Sequence, residues 1–445
     1  MQDNLLILKE FFIPSTTDSV QPHPSLVLAL GVWGLGAALY VIGFFHRVAP
    51  AVLTNELMTE FSLGAAALGN LSALYFYTYV GMQVPTGVLV DHYGARRVLT
   101  IGAAVAAAGT LLFALSSSYA LVGLGRLVLG AGVGVAFVAM LKLANHWVHP
   151  ARFATVSGLA LACGVVGGVS AGLPLRMAVD AIGWRQMMLF IALATALLAL
   201  AIGMLVRDDP QQRGLRSHAP DGAHQLPTHS MLGGIGAVLG YRNIWLGFLA
   251  CGAITGPVLA FGGLWGVPYL VQQYGLRTAE AALMTSALLV AWAVGGPLAG
   301  LWSDRIRQRK LPIVLGGAIA SLLWAVVIFV PALPLPLLCG VLLAIGLASG
   351  VVVVGFAFAK ESAPAMLAGT AGGIANMGNM FGGLVMQPVI GLLLDHAWQG
   401  AIQDGVRRYD SAAWQAGFSL MLVWIVLGSL LMCAARETHC RSMVD

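Results

Sequence analysis

Charge is scarce in this sequence. Asp, Glu, Lys and Arg together make up 9% of 445 residues, whereas a soluble domain carries about one quarter. With 59% of residues apolar, there is too little polar surface to face water on all sides, so lipid is the expected solvent. Cysteine is sparse too. Cys163, Cys251, Cys339, Cys433 and Cys440 are scattered without metal-ligand spacing, and all but Cys440 fall in apolar segments. A disulfide framework, a metal and a cofactor are therefore not expected. The net charge of +5, from 23 basic and 18 acidic residues, is too balanced for nucleic-acid binding and better suited to setting membrane orientation. The opening MQDNLLILKEFF has acids at Asp3 and Glu10 and no basic n-region, so a cleavable signal is not expected. The closing Ser-Met-Val-Asp carries no lipidation motif.

What the chain has in abundance is apolar runs long enough to cross a bilayer, for which roughly 20 residues suffice. Twelve are counted, at about 27–53, 66–90, 98–116, 119–147, 154–179, 186–206, 243–272, 279–302, 311–331, 335–359, 366–394 and 412–434. The expected organisation is a cytosolic arm over 1–25, a six-helix bundle over 26–206 and a polar cytosolic linker over 207–242. A second six-helix bundle over 243–434 and a cytosolic tail over 435–445 follow. With the N-terminus inside, fifteen basic residues fall on the cytosolic side and five on the outer side. That bias places both termini in the cytosol.

An internal repeat points to two related halves. Gly87-Val-Leu-Val-Asp91-His-Tyr-Gly94-Ala-Arg96-Arg97 follows span two, and Gly300-Leu-Trp-Ser-Asp304-Arg-Ile-Arg307-Gln-Arg309-Lys310 follows span eight. Gly87/Gly300, Asp91/Asp304, Arg96/Arg309 and Arg97/Lys310 share one offset of 213. Pro150/Pro364, Gly158/Gly372, Gly164/Gly378, Gly168/Gly382 and Pro174/Pro388 share another of 214. Parallel repeats suit two bundles that rock about a midplane site.

On these residues the chain resembles the major facilitator superfamily over essentially its whole length. The carrier is the Gly-x3-Asp-x2-Gly-x-Arg-Arg loop, supported by Gly125-Arg126-x3-Gly130-x-Gly132-x-Gly134 and Gly183-Trp184-Arg185. His92 stands where the family usually has a base, and Arg307 where the second loop usually has glycine. The resemblance implies an all-α membrane protein of twelve transmembrane helices in two pseudo-symmetric six-helix bundles. It also implies that Gly87, Asp91, Gly94, Arg96 and Arg97, with Gly300, Asp304 and Arg309, form gates at the cytosolic helix ends. An acid near a helix N-terminus gains from the macrodipole, and paired arginines supply charge-assisted hydrogen bonds. The bland reading of these basic residues is a topology signal, which needs neither the glycines nor the acids. The glycine-rich spans five and eleven resemble the family's rocking helices, although close packing alone would use such glycines.

Charges inside the spans point to a site because isolated ones are costly there. Arg47, beside His46 in Phe44-Phe45-His46-Arg47, lies toward the outer part of span one. Organic-anion and organophosphate members of the family similarly carry an arginine there, and its planar fork suits a carboxylate or phosphate. The competing reading is an arginine snorkelling to the outer interface. Aligning Pro50 with Pro268 sets Arg47 opposite Trp265, where phosphate exchangers have a second arginine, so a single carboxylate is favoured over a phosphate ester. Arg126 belongs to the pattern implicated in coupling in proton-driven members, or it bonds backbone carbonyls. Lys142 lines the inner vestibule or snorkels. Tyr75, Tyr77 and Tyr79 cannot share one helix face; Tyr77 is taken as the cavity residue. Asn376 and Asn379 do share a face and are read as substrate contacts or as interhelical glue.

No acid lies near the middle of a span, so proton coupling is as open as uniport or exchange. The expected function is alternating-access transport, by a monomer in the bacterial cytoplasmic membrane, of a small anionic or zwitterionic solute. Span two and Trp265-Gly266-Val267-Pro268-Tyr269 look like the branch with bacterial amino-acid and nucleoside permeases and a lysosomal dipeptide carrier. Amino acids or short peptides therefore come first, other carboxylates second, and siderophores or drugs third. Span five has Gly172-Leu173-Pro174 rather than the Gly-Pro of drug exporters. A polytopic enzyme would need a catalytic constellation, and none is visible. Ligand binding without uptake would indicate a receptor.

Overall fold

The computed structural model describes residues 22–218, 236–364, 367–403 and 405–442. Residues 1–21 of the expected arm, 219–235 of the expected linker and 443–445 of the expected tail lie outside the described residues.

Apolar composition makes nearly everything helical, even with Pro50, Pro85, Pro257, Pro297 and Pro388 inside helices, because a backbone in lipid must satisfy its own polar groups. Spans one to three are Leu26–Val52, Ala65–Tyr93 and Ala95–Leu115. Span four is two helices, Tyr119–Val133 and Ala136–Trp147, and span five is Pro150–Ser170 followed by Leu173–Ile182. Span six is Trp184–Leu205. In the second bundle, span seven runs Arg242–Ala260, a π turn Phe261–Trp265, then Gly266–Tyr274. Spans eight and nine are Thr278–Ile306 and Lys310–Phe329, and span ten is Leu335–Ser349 with Val352–Glu361. Spans eleven and twelve are Ala368–His396 and Ser411–Cys433. Among the described residues, eleven of the twelve meet a length and apolarity test for crossing a membrane. Ala65–Tyr93 is 29 residues long but is diluted by Asn70, Thr78, Gln83 and four tyrosines.

The architecture is the expected one of two six-span bundles, with two small departures from all-helix spans and loops. A short helix, Thr54–Glu60, follows span one, and a hairpin pairs Ile402–Gln403 with Val406–Arg407 before span twelve. Span three packs on spans four and six, span nine on span twelve, and span one on span five. Leucines and methionines remain exposed along span six (Leu193, Leu197, Leu200, Met204), span nine (Leu322) and span twelve (Leu427, Leu430). Such continuous apolar surface suits lipid contact.

The ends of the molecule differ. Call the face bearing Pro22, Arg97 and Arg436 the terminal face, and the one bearing Glu60 and the hairpin the far face. The bundles meet most closely toward the far face. A methyl group at Gly69 in span two would stand 2.4 Å from the Gln387 carbonyl of span eleven, and one at Gly172 in span five 2.1 Å from Ser286 Oγ of span eight. Toward the terminal face such crowding is absent at several glycines: at Gly87, Gly158, Gly300, Gly369 and Gly373 a methyl would meet no described atom within 4 Å. This conformer is closed at the far face.

The repeated loop is not symmetric in its backbone. Gly94 adopts φ 81°, ψ 156°, a region essentially reserved for glycine. Its repeat partner Arg307 adopts φ 53°, ψ 41°, the left-handed region that an L-residue enters at a cost of roughly 1–2 kcal/mol. The missing second-half glycine therefore reflects a different turn.

Candidate functional site

Arg47 sits five residues from the end of span one, about 7.5 Å along the axis. Helical side chains lean toward their own N-terminus, so Arg47 reaches back into the membrane interior instead of out to the far interface. Its guanidinium carbon lies 4.0 Å from the ring centre of Phe44, one turn earlier. Tyr79 and Phe76 of span two are at 5.0 and 5.8 Å. The residue is 1% exposed, which rules out the snorkelling geometry in this conformer.

The electrostatics of the position are unbalanced. Nε, Nη1 and Nη2 of Arg47 are all buried without a hydrogen-bond partner. The Tyr75 phenol lies alongside with its oxygen toward the guanidinium, while its own proton goes to the Gly43 carbonyl at 2.8 Å. Aromatic faces contribute about 0.5–2 kcal/mol each to a cation, yet they leave its N–H groups unbonded. A buried charge is normally paired and hydrogen-bonded, and among the described residues no acid pairs with this one and none of its N–H groups makes a well-formed hydrogen bond.

The surroundings draw on both bundles. Tyr40, Tyr75, Phe76 and Tyr79 form one packed cluster with Leu259 of span seven and Met380 of span eleven, with Phe44 and Leu384 against it. The cluster is thus a seam that bundle motion would open or close.

The other expected site residues divide by location. His46 does not join Arg47. One residue on a helix turns the side chain by about 100°, and its Nε2 instead meets Thr110 Oγ1 of span three at 3.2 Å. Arg126 donates to the His46 carbonyl (2.8 Å) and the Ser72 carbonyl (3.2 Å), the bracing geometry of the two weighed for it. Tyr77 is 39% exposed and turned from Arg47, while Tyr75 and Tyr79, at 0% and 2% exposure, stack at 5.8 Å on the inward face.

Trp265 does not face the Arg47 guanidinium either. Its indole donates to the Gln387 carbonyl at 3.0 Å and packs on Trp414. The π turn holds an extra residue and rotates the following face, so the neighbour of Arg47 from this segment is Gly263, whose added methyl would lie 3.5 Å from the Arg47 carbonyl. Asn379 accepts from Thr255 of span seven at 3.1 Å. Asn376 donates to Gln83 Oε1 of span two at 2.9 Å and so ties the bundles together. Lys142 pairs with Asp91 at 2.7 Å.

Among the described residues, the side-chain bonds of the expected gate residues stay within their own bundles. Asp91 is held by Lys142, and Arg96 donates through Nε to the Gly203 carbonyl at 2.9 Å. Arg97 lines an apolar groove with Tyr93 and Ile101. Arg309 contacts Asp304 at 2.5 Å, Ser303 at 3.0 Å and Glu361 at 2.9 Å. Gly87 and Gly300 face open space, and Gly94 is required because an added methyl would stand 2.6 Å from the Asp208 carboxylate.

Three features lay outside the sequence reading. At the far face, Asp395 of span eleven accepts the N–H groups of Ala65 and Ala66 at 3.0 and 2.9 Å, capping span two of the other bundle. Tyr409 (2.7 Å) and Arg407 (3.0 Å) hold the same carboxylate. An acid in the last turn of its own helix opposes that helix's dipole, which is the signal that it serves another element. At the terminal face, Asp208 accepts the Arg96 N–H (2.7 Å), and Glu437 those of Arg309 and Lys310 (2.7 and 2.9 Å). Each bundle thus caps its third helix with an acid that follows its sixth. Gln387 Oε1 is buried without a partner.

A family model described as Major Facilitator Superfamily matches two overlapping stretches, residues 28–385 and 258–440. A probable sulfoacetate transporter of Cupriavidus necator is 25% identical over 398 residues, covering 82% of this chain and 87% of the relative. A probable galactarate/D-glucarate transporter of Escherichia coli is 24% identical, covering 81% and 87%. A probable nitrate/nitrite transporter of Mycobacterium tuberculosis is 25% identical, covering 94% and 97%. Among solved structures, a bacterial homolog of the human lysosomal transporter Spinster in an inward-facing, unoccupied conformation superposes with TM-score 0.74 at 16% identity. That match covers 92% of this chain and 97% of the other. At such identity the likeness concerns the fold.

Proposed function

Because the chain belongs to the major facilitator superfamily, we propose that it carries a small organic anion across the membrane by alternating access, with Arg47 holding the anionic group. The observation that carries this reading is the buried guanidinium of Arg47, which meets aromatic rings but no acid and no well-formed hydrogen bond among the described residues, at a seam between the bundles. A carboxylate or sulfonate accepts two parallel N–H bonds from such a fork and removes the charge imbalance.

Relatives named for sulfoacetate, glucarate and nitrate support an anion. They also favour simple acids over the amino acids and peptides ranked first by sequence. Residues around Arg47 agree with that order: its packed neighbours are aromatic and aliphatic, and no acid among them would receive a substrate ammonium. With the basic bias placing the terminal face in the cytosol, this conformer is the inward-open one. In that reading, residues 26–206 and 243–434 move as the two rocking units.

Uptake into proteoliposomes tests the proposal, using sulfoacetate, D-glucarate, nitrate, glucose 6-phosphate, leucine and dialanine. The expected result is saturable uptake of a carboxylate or sulfonate, competed by other such acids. Uptake restricted to neutral or zwitterionic solutes would overturn it.

A further inference from the structure

Gln387 lies in span eleven, fully buried, with its Nε2 donating to the Leu259 carbonyl of span seven at 3.1 Å. A carbonyl only accepts, so this bond fixes which end of the amide is nitrogen. The other end, Oε1, is then a buried acceptor with no partner. Buried polar atoms of this kind are rare and need a reason.

Its place supplies one. Leu259, whose carbonyl holds the amide, belongs to the cluster of Tyr75, Phe76 and Tyr79 around Arg47. Gly263 in the π turn sits between the two residues: a methyl there would lie 3.2 Å from Gln387 Nε2 and 3.5 Å from the Arg47 carbonyl. Single π turns occur frequently at functional sites. Gly263 thus packs against the main chain of Arg47 and the amide of Gln387, so that span one brings buried donors and span eleven a buried unpaired acceptor to neighbouring parts of the seam. One molecule with an acidic end and a hydrogen-bond donor would satisfy both and tie the bundles together.

Resting on the anion reading above, we propose that Gln387 Oε1 accepts a hydroxyl of the substrate, which makes hydroxylated organic acids the preferred class. A neutral hydroxyl fits an amide oxygen, whereas an ammonium would call for a carboxylate. Arg47 sets affinity for the acid group, and Gln387 sets the preference for the hydroxyl beside it.

The experiment compares matched probes on the full-length protein: D-glucarate against adipate, and glycerate against propionate. Affinities come from thermal shift, since a ligand of the folded state raises apparent stability. Wild type is expected to favour the hydroxylated member of at least one pair by roughly tenfold or more. Gln387→Met should bring that ratio close to one while retaining binding of the deoxy acid. Gln387→Asn, which keeps an amide but withdraws its oxygen, serves if the first variant folds poorly. The ratio is taken within each variant, so a general loss of stability cancels. Absence of a preference in wild type, or an unchanged ratio in the variants, would overturn the role of Gln387. Unchanged binding of both members in Arg47→Lys and Arg47→Ala would instead overturn the anion reading, which keeps the two failures apart.

Discussion

Asp395→Asn should open the far face, and the structure indicates by how much. The carboxylate joins the bundles through two N–H groups in the first turn of span two, at 3.0 and 2.9 Å. Asparagine keeps one carbonyl acceptor but loses the charge and the second oxygen. A charge at a helix N-terminus contributes about 0.3–1 kcal/mol when exposed and up to ~2 kcal/mol when partly buried, and this side chain is 20% exposed. Losing one charge-assisted bond while keeping a weaker one leaves a net cost of about 2 kcal/mol. Since the contact exists only when the bundles meet at this face, that cost shifts the conformational equilibrium by roughly thirtyfold toward far-face opening. Spin labels at Ser117 and Gln399, exposed positions of the first and second bundles, would report it after Cys163, Cys251, Cys339, Cys433 and Cys440 are replaced. Pulsed dipolar distances should be dominated by the short component in the parent and gain a longer one in Asp395→Asn. Identical distance distributions would refute the latch.

Other perturbations follow from the same geometry. Gly69→Ala places a methyl 2.4 Å from the Gln387 carbonyl, so the same label pair should show the longer component even with Asp395 intact. At the terminal face, burial would raise the Glu437 carboxyl, but backbone N–H donors led by Arg309 and Lys310 outweigh it and hold it below the ordinary 4.5. Its stabilisation is therefore present above that value and lost as pH falls through the lower folded value. Glu437→Gln should cost roughly 1 kcal/mol in thermal denaturation at neutral pH, and the difference from wild type should shrink in acid; a constant gap would contradict the assignment.

Hydropathy located the spans because each is a local run, and the repeat offsets tied the halves together without any contact information. What escaped was set by geometry beyond the reach of spacing. Tyr77 was preferred over its neighbours, yet Tyr75 and Tyr79 face Arg47, and only the packing of span two decides which side turns inward. Trp265 was placed opposite Arg47 by aligning prolines, and the π turn at Phe261–Trp265 rotated it onto span eleven. The Asp395 latch joins residues 330 apart in sequence, for which one chain holds no signal beyond an acid at the wrong end of a helix. Arg47 itself was legible because a charge in an apolar run is conspicuous. That it meets no acid among the described residues was not.

If the Arg47 guanidinium awaits an anion, calorimetric titration of the best organic acid from the uptake panel will show it. Wild type should bind. Arg47→Ala should lose about 2–5 kcal/mol of affinity, the range for truncating one partner of a buried charge pair. Arg47→Lys, which keeps the charge without the fork, should fall between them. Wild-type affinity in both variants would contradict the account.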